Sequence, residues 1–189
     1  MAIIKIENGK IVEKAASRIN KLEIAGAQIK YTNFSGKGSK FNAEGKRNFE
    51  LIIPEEVALD LADEGWRVRK NGYDERLGKR RTGAVDENLD EPEYRLKVNV
   101  NLESSNPPKI FKKTTKHLVP CEKAYEIASL DYADISEAFL EINGYDSTHE
   151  GRYSGYLKTI VATVGGGMFE ELFGDMPIAG QDEEELPFE

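Results

Sequence analysis

The sequence predicts a mainly β protein: a small antiparallel barrel of five strands, with short helices and long loops. Three observations carry that expectation. At least five segments read as strands. The clearest, Tyr94 to Leu102, alternates strictly, with Leu96, Val98, Val100 and Leu102 on one side and Arg95, Lys97, Asn99 and Asn101 on the other. Strands and helices do not alternate along the chain, which excludes a doubly wound nucleotide fold. The third observation is where the chemistry falls. Between Ile29 and Lys70 aromatic residues stand beside cations (Tyr31 by Lys30, Phe34 before Lys37, Phe41 after Lys40, Trp66 before Arg67), which favours a barrel over a sandwich of equal strand count.

Composition narrows the class. The 189 residues are 39% hydrophobic and 32% charged, as in a soluble globular protein. No run approaches the roughly 18 apolar residues of a membrane helix, and Met1 to Lys5 does not resemble the start of a secretory signal. A single cysteine, Cys121, cannot form an internal disulfide, so a reducing cytoplasm is the expected compartment. The net charge of −8 is unevenly spread. The segment from Glu170 to Glu189 holds 8 of the 34 acids and no Lys or Arg, which leaves 26 acids against 26 basic residues in the rest of the chain. The body is neutral and the tail carries the excess.

In chain order, Ile3, Ile4 and Ile6 suggest a short strand, and Asn8-Gly9 a turn. From Ile11 to Leu22 the spacing of Ile11, Ala15, Ile19 and Leu22 suggests a helix. Residues 1–28 are read as an N-terminal extension packing on the core. A strand from Gln28 to Phe34 leads through a loop rich in glycine and lysine to a second strand, Asn48 to Ile53, which Pro54 ends. A helix from Glu55 to Glu64 and a strand from Trp66 to Lys70 follow. Residues 71–92 form a long excursion with a basic cluster, Arg76, Lys79, Arg80 and Arg81, read as a mobile basic finger. Beyond Leu102 come a short strand at Lys109 to Lys113, a helix from Glu122 to Leu130, and a hairpin of Ala138–Asn143 with Tyr153–Val164. Phe49 and Phe139 are assigned to the core. The domain spans 29–164, and its partly open five-stranded barrel with long loops is the oligonucleotide/oligosaccharide-binding (OB) architecture. Residues 165–189 open with three glycines and form a flexible acidic tail.

Catalytic readings are weak. Ser35-Gly36-Lys37-Gly38-Ser39-Lys40 lacks the spacing and the following helix of a phosphate loop, so it is a hairpin connection, made mobile by its glycines. His117 and Cys121 lack two further ligands for a metal site. Asp146, Ser147 and His149 crowd one loop and read as a polar turn rather than a triad. No catalytic residue, metal or cofactor is expected, and the body lacks the clustered acids of a nuclease.

Binding is better supported. Aromatic rings stack on any base and cations neutralise phosphates, so their interleaving suits a single strand of nucleic acid. The candidate stacking residues are Tyr31, Phe34, Trp66, Tyr73, Phe111 and Tyr156. The candidate phosphate contacts are Lys30, Lys37, Lys40, Arg47, Arg67, Arg69, Arg80, Lys112 and Lys113.

The chain ends Asp182-Glu183-Glu184-Glu185-Leu186-Pro187-Phe188-Glu189. An acidic run before Leu-Pro-Phe resembles the C-terminal tail of bacterial and phage single-stranded DNA-binding proteins, although Glu189 follows the aromatic that usually ends that family. Asn33-Phe34-Ser35-Gly36, Phe41-Asn42, Gly45, Arg47-Asn48-Phe49, Gly65-Trp66 and Gly155-Tyr156-Leu157-Lys158-Thr159 look like phage members of the same family. The resemblance implies a protein that coats single-stranded DNA during replication, recombination or repair. It also implies a tail, Asp182 to Phe188, that docks on replication or recombination proteins and competes with DNA for the groove. A homo-oligomer is compatible with it, and a strand-annealing role would be a variant of it. The competing reading is a protein-interaction module or inhibitor whose acidic tail imitates DNA.

Overall fold

The computed structural model describes residues 3–14, 20–70, 73–74, 79–80 and 93–165. Five strands close a barrel: β3 (Lys21–Asn33), β4 (Arg47–Ile53), β8 (Tyr94–Val100), β11 (Ile135–Tyr145) and β12 (Ser154–Val164). Around the barrel they run β3, β4, β8, β12, β11 and back to β3. Every neighbour pair in this ring is antiparallel except β8 with β12, which meet in parallel through Gly155 opposite Val98 and Tyr156 opposite Asn99. Closure leaves the ring without a free edge. Gly155 permits it, because a Cβ there would come 3.2 Å from the Lys97 carbonyl oxygen. This is the expected OB-like barrel.

Alternation builds the interior. Phe49, Leu51 and Ile53 from β4, Leu96, Val98 and Val100 from β8, and Leu140 and Ile142 from β11 are all buried, so their neighbours face outward. Phe139, expected in the core, is exposed on the outer face of β11, because Ala138 and Leu140 on either side of it point inward.

The N-terminal segment differs from its expectation. Where a helix was expected from Ile11, β1 (Ile3–Glu7) and β2 (Lys10–Lys14) form a hairpin, and β1 lies parallel to the start of β3 with Ile4 opposite Leu22 and Ile6 opposite Ile24; Ala15 and Ile19 lie outside the described residues. The Asn8-Gly9 turn has positive φ at both residues (48° and 74°), as a two-residue hairpin demands. Loose helical spacing yields here to sheet pairing, since Leu22 and Ile24 are buried only by alternating. The first barrel strand therefore begins at Lys21 and not near Ile29.

Short elements cover the barrel ends. The helix α1 (Glu55–Asp63) buries Val57, Ala58 and Leu61, and Tyr94 donates its hydroxyl to Glu55 at 2.8 Å. Strand β5 (Val68–Lys70) pairs with β8, and the short β6 (Tyr73–Asp74) and β7 (Lys79–Arg80) pair with each other. Strand β9 (Lys109–Lys113) runs parallel to β12 and pairs with β10 (Leu118–Pro120). The expected helix over 122–130 is α2 (Ala124–Ala128), which continues as a 3₁₀ turn at Ser129–Tyr132 and buries Ile127 and Leu130. The rest of the basic excursion, the triple glycine beyond Gly165 and the tail lie outside the described residues.

Candidate nucleic-acid interface

The outer face of β3, β4 and β8 is organised in rows by strand register. Asn33, Asn48, Asn99 and Tyr156 lie in register across β3, β4, β8 and β12. Lys30, Glu50 and Lys97 make the next row, and Ile52, Arg95 and Arg69 the one after. At the first row the surface opens into a groove of about 510 Å³. The loop after β3 forms one wall with Phe41, Lys46 and Arg47. Asn101 to Glu103 and Tyr156 form the other, and Asn48, Lys97 and Asn99 line the groove between them.

The loop, residues 34–46, is braced by hydrogen bonds to the barrel and to itself. Asp131 of the 3₁₀ turn accepts the N–H groups of Phe34 and Ser35 at 2.6 and 2.9 Å. The Asn33 amide donates to the carbonyls of Lys37 and Lys46 at 3.2 and 3.0 Å, and the Gly45 N–H donates to the Gly36 carbonyl at 2.8 Å. Arg47 donates its Nε to the Phe34 carbonyl at 3.0 Å. Gly36, at φ 72°, lies under this guanidinium, where a Cβ would come 3.2 Å from Arg47 Cζ. Backbone polar groups that would otherwise need water thus find protein partners, and the loop presents Phe41, Lys37, Lys40 and Lys46 outward.

The stacking candidates divide. Tyr31 is 62% exposed and Tyr156 is 37% exposed at the groove wall. Phe34 is 1% exposed and stacks on Phe49 with centroids 5.6 Å apart, so its ring belongs to the core. Trp66 is 3% exposed and packs on Tyr153 at 5.7 Å, beneath the β11–β12 hairpin. There the backbone is pinned as well, with Tyr153 N–H donating to the Gly65 carbonyl at 2.7 Å and Arg67 N–H to the Tyr153 carbonyl at 3.1 Å. Both rings were expected to stack on bases. Each instead fills space next to a loop that needs anchoring, and their sequence neighbours supply the surface charge. Phe111 is half-buried on β9, away from the β4–β8 groove. The Tyr73 side chain lies outside the described residues.

The phosphate candidates divide as well. Lys37, Lys40 and Lys113 are exposed, and Arg67 and Arg69 are half-buried near the β5 edge. Lys112 donates to the Ser129 hydroxyl and so faces α2 rather than the groove. Arg47 is committed to bracing the loop. Lys30 pairs with Glu93 at 2.6 Å, and Glu93 also accepts from Arg95 Nε at 2.6 Å. Burial would raise the Glu93 carboxyl, yet its hydrogen bonds from Lys30 and Arg95 hold it below the ordinary carboxylate range. The Arg95 guanidinium lies 4.7 Å from the Tyr31 ring centroid. Arg80 and the tail residues Asp182 to Phe188 lie beyond the described side chains.

Sequence reasoning missed Phe41, Tyr145, Lys97, Arg95 and the amides of Asn48 and Asn99. Phe41 is 66% exposed, with Lys40 Nζ 4.8 Å from its ring, so the aromatic–cation signal was present there. Tyr145 is exposed and meets Tyr156 edge-on at 6.2 Å, a neighbour relation that only the β11–β12 register creates. The Asp146–His149 segment is a polar turn, in which Asp146 accepts the Gly151 N–H at 2.6 Å and the Thr148 N–H at 3.2 Å.

Among curated proteins, none matches the chain. Solved structures similar to it include the single-stranded DNA-binding protein from bacteriophage Enc34, at 10% identity over 76% of this chain and 80% of that one, with a TM-score of 0.44. Its C-terminal truncation covers 78% of this chain and 88% of its own at 10% identity (TM-score 0.47), and its complex with ssDNA covers the same shares at 9% identity (TM-score 0.44). The family model described as "Putative phage ssDNA-binding domain" matches residues 11–187, nearly the whole chain. A match of that extent identifies the family: this OB-like barrel belongs to the phage ssDNA-binding domain family.

Proposed function

We propose that the protein binds and protects single-stranded DNA without sequence preference, through the outer face of β4 and β8. The observation that carries this reading is the groove of about 510 Å³ with the exposed rings of Phe41 and Tyr156 on opposite walls and Lys46 and Lys97 around it. Family membership supports it from an independent direction. Each ring accepts the face of any base for about 1–3 kcal/mol. The surrounding cations release counterions from the phosphates, which makes affinity fall with salt. Asn48 donates to Asn42 at 3.0 Å and Asn99 to the Gly155 carbonyl at 3.1 Å, so these amides hold the groove in shape. Binding rather than catalysis is the activity in this reading.

The finer reading places this coating in phage or bacterial DNA replication, recombination or repair, within the cytoplasm of the host cell. The acidic segment from Asp182 to Phe188 then recruits replication or recombination proteins and competes with DNA for the groove. Its support is the concentration of the chain's excess negative charge after residue 169. The test is fluorescence anisotropy of labelled oligo-dT over a salt series, with the full chain and a truncation ending at Gly167. Salt-sensitive binding, stronger for single than for double strands and tightened by truncation, is the expected result. Absence of binding by both chains would refute the coating function and favour the DNA-mimicking interaction module.

A further inference from the structure

We propose that Lys30, Tyr31 and Arg95 form a second nucleotide subsite, in which Glu93 occupies the place of a DNA phosphate until the strand arrives. The inference rests on the coating function above and deepens it. Glu93 presents one carboxylate oxygen to Lys30 and the other to Arg95, both at 2.6 Å. Two cations converging on the two oxygens of one anion is how proteins hold a phosphodiester. Beside this pair stands an aromatic platform. Arg95 lies over the Tyr31 ring at 4.7 Å, and the ring is otherwise open, at 62% exposed.

Three further observations point to a ligand site rather than to a surface ion pair. Tyr31 holds φ at +53° within an irregular stretch of the β3–β4 ladder, a conformation unfavourable for a bulky residue, and it turns a large ring outward. Arg69 lies opposite Arg95 in the β5–β8 register, and like charges opposite one another cost energy in a sheet unless an anion offsets them. Finally, Arg95, Lys97 and Asn99 are successive outward positions on β8, so the subsite continues the groove along the same strand. From Asn99 to Arg95 the distance along the strand is about 13 Å. A single strand lying along β8 would pass from Phe41 and Tyr156 to Tyr31, its backbone replacing the Glu93 carboxylate on Lys30 and Arg95.

The experiment is oligo-dT anisotropy over a salt series with the full chain and with Glu93→Gln, Arg95→Ala and the groove pair Phe41→Ala/Tyr156→Ala. Glu93→Gln removes the competing charge and keeps the side-chain shape. It should bind about fivefold more tightly at low salt, with a steeper salt dependence, whereas Arg95→Ala should bind more weakly. An unchanged or weaker affinity for a Glu93→Gln chain that melts like wild type overturns the subsite. Should the groove pair weaken binding while Glu93→Gln and Arg95→Ala leave it unchanged, the subsite falls and the coating function stands. A wild-type chain that does not bind takes both down. Tyr31→Trp supplies a readout independent of affinity. Because Trp66 is buried, the added emission reports residue 31, and oligo-dT should quench it; emission indifferent to bound DNA also overturns the subsite.

Discussion

The loop after β3 and the corner between α1 and β5 carry the same local signature, an aromatic residue next to cations, and use it in opposite ways. At the corner, Trp66 turns inward, packs on Tyr153 and ties the β11–β12 hairpin to the barrel, leaving Arg67 half-buried at the edge. In the loop, Phe41 turns outward with Lys40 beside it, and the inward position is taken by Phe34, seven residues earlier. The difference lies in what each backbone segment is tied to. The loop is held at its base by Asp131 and Arg47, so its tip needs no anchor of its own. At the corner a Lys14–Glu64 pair at 3.0 Å leads the chain off α1, and ring packing with backbone hydrogen bonds holds Trp66 itself. An aromatic beside a cation thus marks a contact with something, and only the packing tells whether that partner is the protein or its ligand.

Loss of packing at the corner has the largest effect. Trp66→Ala should lower stability by about 3–5 kcal/mol in a denaturant melt. Phe41→Ala should leave stability within about 0.5 kcal/mol, while weakening oligo-dT binding by about 1–3 kcal/mol. If Trp66→Ala folded normally and lost only DNA affinity, the assignment of the two rings would be reversed. Gly65→Ala tests the same corner from the backbone. Gly65 has φ 94°, and a Cβ there would come 2.2 Å from the Gly151 carbonyl oxygen, so the hairpin would have to shift. A loss of about 1–3 kcal/mol is expected, read as a lowered melting temperature.

The loop brace is next in size. Asp131→Ala leaves the N–H groups of Phe34 and Ser35 without their acceptor and should cost about 1–3 kcal/mol. It should also weaken DNA binding, because Phe41 loses its fixed position. Hydrogen exchange of the Phe34 and Ser35 amides gives the direct measurement, and unchanged protection would argue against the brace.

The smallest effect is a pH dependence centred on Glu141 of β11. The Thr159 hydroxyl, donating at 2.6 Å, holds the Glu141 carboxyl below its ordinary value, burial opposes this, and Lys21 adds to it. A depressed carboxyl stabilises the fold above its unfolded value and loses that contribution as pH falls through the folded value. Glu141→Gln should therefore flatten the fall in melting temperature from roughly pH 5 to pH 3. It should leave DNA binding unchanged. A melting profile as steep as that of wild type would remove Glu141 from the acid response.

Much of the barrel was legible in sequence, because period-two alternation is a local consequence of having one face buried. Strand β8 shows it most plainly, with Leu96, Val98 and Val100 inward and Arg95, Lys97 and Asn99 outward. The same alternation failed where a strand is long or bulged. Residues 11–22 read as a helix because Ile11, Ala15, Ile19 and Leu22 fit its spacing, whereas Ile11 pairs with Ile6 and Leu22 with Ile4, a choice made only between strands. Glycine and asparagine at the Asn8-Gly9 turn were local signals and held.

The inventory is written in the chain: which aromatics and cations exist, that the excess negative charge sits at the C-terminal end, and which strands must have an apolar face. Tertiary structure alone decided the allocation. Phe34 and Trp66 went to packing, Arg47 to a loop carbonyl, and Lys30 and Arg95 to Glu93, while Phe41 and Tyr156, far apart in sequence, came to face one groove. The physical reason is that burial and hydrogen bonding are settled between strands. Register places Asn48, Asn99 and Tyr156 side by side, and no local pattern records which residue another strand will present.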